Sequence, residues 1–235
     1  MLRHKHLTAF AVLVFTLAEC VLGVLVQTLS GRSVVWVSFA CVLLACAFLA
    51  LFFERTPRYA LTQLALICTV FADYFLVVRG AEQQFLAMLF FSVTQLSYFA
   101  RLYVEDECAT CKRVHVYARI AACIIALLLT LIVLGKGADK VALISMFYFA
   151  NLLLNIVFAF IRFRVQPLFA VGLALFALCD VFVGLSLIEG YLPVTEGSFL
   201  YRLAHPGFNL AWVFYVPSQT LLALSLLPIQ IKKDT

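Results

Sequence analysis

Two aspartates, Asp73 and Asp180, are unusual because each is a lone carboxyl group within a long apolar run. The runs read ALTQLALICTVFADYFLVV at 60–78 and PLFAVGLALFALCDVFVGLSLI at 167–188. An ionisable group in a membrane span costs about 2.5–3.5 kcal/mol on insertion scales, so such groups often mark functional sites. Two carboxyl groups that share a buried site can serve as an acid and a base. The sequence therefore predicts acid–base chemistry with Asp73 and Asp180 as the catalytic pair.

Further polar side chains recur at helical spacing in the other apolar runs. Residues three, four or seven positions apart share one face of a helix, and lipid disfavours polar groups, so these faces are expected to meet inside the protein. The candidates for substrate binding are Glu19, Gln95, Tyr98, Tyr148, Asn151, Asn155, Tyr215 and Gln219. At about 1.5 Å of rise per residue, Glu19, Gln95 and Gln219 lie near the depth of the two aspartates. One polar chamber explains this pattern, and hydrogen bonds that simply join helices are the alternative.

All of these candidate residues lie in apolar runs that we predict to be membrane helices. The chain of 235 residues is 65% hydrophobic, with a mean hydropathy of +1.08. Apolar runs of about 20 residues match the bilayer core, whereas the alternating pattern of membrane barrels is absent. We predict an all-α membrane protein, a single integral membrane domain over 1–235 with eight transmembrane helices. The predicted spans are 7–29, 33–53, 60–78, 84–104, 115–134, 141–160, 167–188 and 208–229.

The distribution of Lys and Arg predicts the orientation of this bundle. If the N-terminus is cytoplasmic, most of the 17 basic residues fall in cytoplasmic segments. The positive-inside rule then favours cytoplasmic N- and C-termini. This bias accounts for the net charge of +5 without a nucleic-acid partner. We expect a multi-pass protein, located in the cell membrane if its source is bacterial.

A short internal similarity suggests a duplication. The segments FADYFLVVRG (71–80) and LCDVFVGLSL (178–187) each place an Asp two residues before a Phe, about half a chain apart. A parallel 4+4 repeat with halves 1–104 and 115–235 explains this similarity. Chance resemblance is the alternative.

The two longest predicted connections are 105–114 and 189–207. The first contains Cys108 and Cys111 in a CATC motif with His115 close by. A metal site needs four ligands and this segment offers at most three, so we favour two free thiols and predict no metal and no cofactor. The second connection is rich in aromatic and Leu residues, which fits either a lid at the membrane surface or a plain surface loop.

These motifs together resemble those of the YhhN-type integral membrane proteins, whose animal members include lysoplasmalogenases. That family has eight spans with a Gly-Asp pair late in one span and a His and a Tyr one helix later. A Ser-Asp pair follows in the penultimate span and a Tyr-x-x-x-Gln-like element in the last. The matching positions here are Ala72-Asp73, Gln95 and Tyr98, Cys179-Asp180, Tyr215 with Gln219, and Tyr148 in the sixth span. The sequence departs from the pattern at Ala72, at Cys179 and at Gln95, which replaces the His.

The resemblance implies hydrolysis of the vinyl-ether bond of a lysoplasmalogen, giving a fatty aldehyde and a glycerophospho-alcohol. The implied partner is a lysophospholipid or another single-chain lipid. Two other functions stay open, because intramembrane carboxylates also occur in proton-coupled transporters and a lipid-binding protein needs no catalysis. Against transport, Pro217 in the last predicted span has no counterpart in the fourth, whereas transporters pair their interrupted helices.

Overall fold

A computed structural model describes residues 2–52, 54–205 and 209–227. Of residues 2–7, 81, 188 and 200 it describes the backbone alone. Within these ranges all regular secondary structure is helical. The α-helices are α1 (Leu2–Thr28), α2 (Arg32–Leu51), α3 (Pro57–Asp73), α4 (Gln84–Glu105), α5 (Ala109–Leu134), α6 (Lys140–Ile161), α7 (Pro167–Leu187), α8 (Phe199–Ala204) and α9 (Leu210–Leu224).

Seven helices in the described ranges are long and apolar enough to cross a membrane. They are Thr8–Thr28, Arg32–Leu51, Pro57–Val78, Gln84–Glu105, Ala109–Gly137, Lys140–Ile161 and Pro167–Leu187. These helices support the prediction of a multi-pass membrane protein. Helix α9 is apolar but has only 15 residues, and the predicted span 208–229 extends at both ends beyond the described residues. The eighth span and the location of the termini therefore stay predictions.

The surface of the bundle is apolar and many of its polar side chains are inside, the reverse of a soluble protein. Leu17 on α1 and Ile132 on α5 are 56% and 75% exposed, whereas Gln95 and Asn155 are fully buried. In lipid an apolar side chain gains nothing by burial, while a polar side chain needs a partner within the protein. Exposed Leu and Ile on helices α1 and α5 therefore form a surface suited to lipid.

Contacts between neighbours link α1, α2, α3, α4, α6, α7 and α9 in a closed circuit, and α5 packs on the outside against α6. Several neighbour pairs in the first half have a counterpart in the second. The pairs α1–α2, α2–α3 and α3–α4 correspond to α5–α6, α6–α7 and α7–α9. These pairs are all between consecutive long helices, and α1 packs on α9 while α5 makes no comparable contact with α4, so the 4+4 repeat stays a prediction.

Helix α5 begins well before the predicted boundary, at Ala109, so the connection expected at 105–114 shrinks to 106–108. The reason is local capping at the helix start. The Sγ atom of Cys108 accepts a hydrogen bond from the backbone N–H of Cys111 at 3.5 Å, and Asp106 Oδ1 accepts one from the N–H of Cys108 at 3.3 Å. The connection predicted at 189–207 contains a short helix, α8, whose N-cap is Ser198.

Candidate active site

A cavity of about 740 Å³ contains both aspartates that the sequence singled out. It lies between α3, α4, α6, α7 and the start of α9, and we call it the acid cavity. Its lining includes Asp73, Asp180, Tyr148, Tyr215, Phe176 and Trp212. The volume falls within the range of about 300–1,000 Å³ that is typical of small-molecule sites. Four of the predicted site residues, from four different helices, thus meet in one place.

Each aspartate in the acid cavity accepts a hydrogen bond from a tyrosine. The hydroxyl of Tyr215 donates to Oδ2 of Asp73, and the hydroxyl of Tyr148 donates to Oδ2 of Asp180. Asp73 is 3% exposed, whereas Asp180 is partly exposed. The two carboxyl groups therefore have similar hydrogen-bond partners but different access to solvent.

The position of Asp73 coincides with a change of helix type. Helix α3 ends at Asp73, and Tyr74–Val78 continue as a turn of π-helix. A π-turn has one more residue in each hydrogen-bonded ring than an α-turn, and such turns are frequent at functional sites. Leu76 and Val77 of this turn also line the acid cavity. The wider turn thus brings apolar side chains beside the carboxyl group of Asp73.

Aromatic rings form much of the cavity wall and hold the two tyrosines in place. The ring of Phe176 lies 5.9 Å from that of Tyr215 and 5.9 Å from that of Phe91. Phe91 in turn lies 5.5 Å from the ring of Tyr148, and Trp212 packs edge-on against Tyr215 at 5.3 Å. Tilted and edge-on contacts of this kind stabilise defined ring orientations. The two hydroxyl groups are therefore positioned by packing as well as by their carboxylate partners.

His205 forms part of the wall near α8 and carries no signal in the sequence. Its Nδ1 lies 3.2 Å from the carbonyl oxygen of Tyr201 and 3.8 Å from Oε1 of Glu189. Its ring stacks on that of Tyr201 at 4.4 Å, and the side chain is half-exposed. The connection predicted at 189–207 thus supplies a histidine to the acid cavity, while Gln95 stands where the resembled family has its histidine.

Three predicted substrate-binding residues lie outside the acid cavity, in a network around Arg119. The guanidinium of this buried arginine donates to Oδ1 of Asn151 at 2.5 Å and to Oδ1 of Asn155 at 2.8 Å. Asn155 Nδ2 donates to the backbone oxygen and to Oε1 of Gln95 at 2.8 and 3.0 Å. The guanidinium also lies over the ring of Phe99 at 4.1 Å. These contacts join α4, α5 and α6. Hydrogen bonds that join helices were the alternative to substrate binding that the sequence left open.

Glu19, Gln219 and Tyr98 also lie outside the acid cavity. All three are buried. Both amide atoms of Gln219 and the hydroxyl of Tyr98 find no hydrogen-bond partner among the described residues, and the carboxyl group of Glu19 lies beside the thiol of Cys41 on α2. Helices α1 and α9 pack antiparallel at this side of the bundle. Gln27 Nε2 donates to the carbonyl of Asn209 at 3.0 Å, and a Cβ on Gly23 would lie 3.5 Å from Val216 Cγ1.

Cys108 and Cys111 are both free and exposed. His115 does not join them: it is buried, stacks on Phe158 at 3.7 Å and places Nε2 3.5 Å from Asp106. Among the described residues, His, Cys, Asp and Glu form no group of three that could hold a metal ion. The hydrogen bond from the backbone of Cys111 lowers the pKa of the Cys108 thiol, because it stabilises the thiolate.

The acid cavity therefore combines two carboxyl groups, two phenolic hydroxyls and an apolar wall. This set can donate a proton to an apolar substrate and accept a proton from water. The structure joins both predicted catalytic residues with two of the predicted binding residues, Tyr148 and Tyr215. It also adds Cys179, His205 and Trp212 to the wall. No protein-family model, no curated protein and no solved structure matches this chain.

Proposed function

We propose that this protein is an intramembrane hydrolase that cleaves the vinyl-ether bond of lysoplasmalogens. The observation that carries the proposal is that Asp73 and Asp180 line one apolar cavity and each accepts a tyrosine hydrogen bond. The resemblance of the motifs to those of YhhN-type proteins points to the same chemistry. Products are a fatty aldehyde and a glycerophospho-alcohol.

The shape and lining of the acid cavity suit a single-chain lipid. Phe91, Phe176, Phe182 and Val183 give it apolar walls against which an alkenyl chain can pack. His205 and Asn209, near α8, lie in the same lining. In the proposed binding mode these polar side chains contact the glycerol or phosphate group. A lipid with its chain on the aromatic wall and its headgroup towards α8 would present its ether bond to the carboxyl groups.

The reaction follows from a carboxyl pair in which one member is protonated. The protonated aspartate transfers its proton to the second alkenyl carbon, which leaves an oxocarbenium ion at the first. The other aspartate, as carboxylate, takes a proton from water as the water oxygen bonds to the first carbon. The hemiacetal then breaks its bond to the glycerol oxygen, which takes the proton that the water-activating aspartate had gained. The hemiacetal hydroxyl gives its proton to the other aspartate as the aldehyde forms, which restores both groups to their starting states. Since Asp180 is the more exposed of the two, we assign water activation to Asp180 and proton donation to Asp73.

The test is aldehyde release by the purified protein in detergent. A lysoplasmalogen is compared with the matched saturated alkyl ether, and aldehyde is trapped as a hydrazone and measured by mass spectrometry. We expect aldehyde from the vinyl ether alone, with one deuterium on its second carbon when the reaction runs in D₂O. An intact vinyl ether at high protein concentration would refute the proposal.

The same purified protein separates the two alternative functions. Proton-coupled transport predicts that reconstituted liposomes accumulate an added small molecule while no product forms. A lipid-binding protein without catalysis predicts that the vinyl-ether lipid co-purifies and is recovered unchanged. Either outcome would replace hydrolysis as the function of the acid cavity.

A further inference from the structure

A second cavity, of about 440 Å³, lies at the opposite end of α3 and α7 from the acid cavity. Its lining includes Thr56, Arg58, Tyr59, Gln166, Pro167 and Ser225, with Glu54 at the exposed rim. Helix α3 starts here and ends at Asp73, a distance of roughly 24 Å at 1.5 Å per residue. We call this second cavity the basic pocket. It shares no lining residue with the acid cavity.

Two helix N-termini converge on the basic pocket. Helix α3 begins at Pro57, after an N-cap in which Thr56 Oγ1 accepts from the N–H of Tyr59 at 3.4 Å. Helix α7 begins at Pro167 and continues for 21 residues. The first N–H groups of a helix carry partial positive charge, which favours anions. Pro57 and Pro167 have no N–H and the N–H of Tyr59 is bonded to Thr56, so the N–H groups of Arg58 and Leu168 are the first that these helices can offer to an anion. The two α-helices therefore direct the same sign of potential towards one cavity.

Arginine side chains add full positive charge around this pocket. Arg58 lies in the lining, with Nε 3.0 Å from Glu105 Oε1, and the buried Arg101 places its own Nε 3.5 Å from the same oxygen. Arg162 lies 4.0 Å from the other oxygen of Glu105. With Glu54 at the rim, three guanidinium groups face two carboxylates, so one positive charge remains. Anions in a partly buried site of this kind are attracted strongly because water screens the charges poorly.

One donor within the lining has no partner, and it points to a missing acceptor. Gln166 is 3% exposed, and its Oε1 accepts from Arg101 at 3.4 Å. Its Nε2 finds no acceptor among the described residues. The carbonyls of Ser225 and Leu226 are already used by Arg58 at 2.9 Å and by the hydroxyl of Tyr59 at 3.0 Å. Buried amide groups are nearly always paired, so an acceptor from a ligand is the natural complement of this N–H.

We infer that the basic pocket binds a phosphate group, with Arg58, the amide of Gln166 and the starts of α3 and α7 as its donors. The phosphate has two sources, the headgroup of an anionic lipid or a free phosphate in solution. Positive charge between membrane helices at the cytoplasmic side is a known setting for anionic headgroups, and the sequence predicts that this end faces the cytoplasm. The site is separate from the proposed hydrolysis and is tested by binding alone.

The experiment uses the full chain in a neutral detergent, with native mass spectrometry and thermal unfolding as readouts. Phosphatidylglycerol, phosphatidylcholine and inorganic phosphate are the probes, with chloride at matched ionic strength as the blank. Gln166→Glu is the informative variant, because it keeps the oxygen that accepts from Arg101 and replaces the free N–H donor with an anionic oxygen. Arg58→Gln removes a charged donor, and Arg55→Gln, an exposed position outside the lining, is the matched control.

We expect one phosphatidylglycerol per chain, retained in preference to phosphatidylcholine. Gln166→Glu and Arg58→Gln should each weaken binding by about tenfold or more, as loss of a hydrogen bond to a charged group implies, and Arg55→Gln should leave it unchanged. If millimolar inorganic phosphate displaces the lipid, a free phosphate suffices; if it does not, the lipid headgroup is the ligand. Equal retention of both lipids in every variant, together with no phosphate binding, would overturn the inference.

Discussion

The hydrogen bond from Tyr215 to Asp73 allows a sharp test of the acid cavity. The change Tyr215→Phe removes one oxygen and keeps a ring that packs 5.9 Å from Phe176 and 5.3 Å from Trp212. The fold should therefore tolerate the substitution. The carboxyl group of Asp73 loses a hydrogen-bond donor. The proposed proton transfer from Asp73 to the alkenyl carbon therefore becomes less favourable.

The expected loss of catalytic rate in Tyr215→Phe depends on the burial of the hydrogen bond. Tyr215 and Asp73 are each 3% exposed, so bulk water does not replace the missing hydroxyl. An unpaired buried acceptor costs about 1–3 kcal/mol, which corresponds to about 5–150-fold in kcat/KM if the bond is made in the transition state. Tyr148→Phe removes the equivalent donor from Asp180. Because Asp180 is partly exposed, water can take the place of that hydroxyl, and the loss should fall at the lower end of the range.

Tyr98→Phe is the matched control for these variants. Its hydroxyl is fully buried, lies outside the acid cavity and finds no hydrogen-bond partner in the described part of the chain. Its removal should leave aldehyde release within about twofold and should leave the unfolding temperature unchanged or raised. Initial rates and thermal unfolding are measured on all three variants in one detergent. Full activity in Tyr215→Phe, or an equal loss in Tyr98→Phe, would refute the reasoning.

Three further predictions concern helix packing, a buried carboxyl group and a thiol. A Cβ on Gly172 would lie 3.0 Å from Leu222 Cγ, so Gly172→Ala should lower the unfolding free energy by about 1–3 kcal/mol. Gly184 lies on the same helix with open space around it, so Gly184→Ala should raise the unfolding free energy by about 0.5–1 kcal/mol. Thermal unfolding of both variants measures the difference. Glu19→Leu should raise the unfolding free energy by about 1–3 kcal/mol, because its buried carboxyl group lies beside the thiol of Cys41, which is a weak donor. Unchanged stability with lost activity would instead support its predicted role in substrate binding. The lowered pKa of Cys108 predicts that iodoacetamide alkylates this thiol faster at pH 7 in the folded chain than in the unfolded chain. The rate in the folded chain should fall at lower pH, because the thiolate becomes protonated. Equal alkylation rates in the two states, measured by mass spectrometry, would contradict this prediction.

The meeting of the two aspartates could be predicted from the sequence because a lone carboxyl group in a lipid-spanning helix has few tolerable positions. It must face the interior of the bundle, and two such groups at similar depth meet there. The structure places Asp73 and Asp180 in one cavity accordingly. Tyr148 and Tyr215 followed from their helical spacing and from the motif resemblance.

The partners of Gln95, Asn151 and Asn155 could not be predicted from the same reasoning. A polar stripe indicates which face of a helix turns inward but does not indicate which neighbour that face meets. That choice depends on the order of the helices around the circuit, in which α5 lies outside and inserts Arg119 between α4 and α6. Arg101 and Arg119 lie near the ends of the predicted spans 84–104 and 115–134, and both are buried. The spacing of these polar residues is therefore compatible with both a chamber and a structural network.

His205 and the start of α5 escaped prediction for local reasons. His205 follows a six-residue helix, too short to show hydrophobic periodicity. Helix α5 extends to Ala109 because Cys108 acts as its N-cap through a sulfur atom, whereas Ser, Thr, Asp and Asn are the usual signals. Both features depend on single contacts that no pattern in the sequence encodes.

The rates of aldehyde release by Asp73→Asn, Asp180→Asn and the double variant test the central claim most directly. Both carboxyl groups line one cavity, so they should act as a unit whose removal is not additive. Each single variant should lose about 10²–10⁴-fold in rate, and the double variant should be no slower than the slower single variant. Full activity in either single variant, or a double variant that loses the product of two independent factors, would contradict a carboxyl pair acting in one reaction.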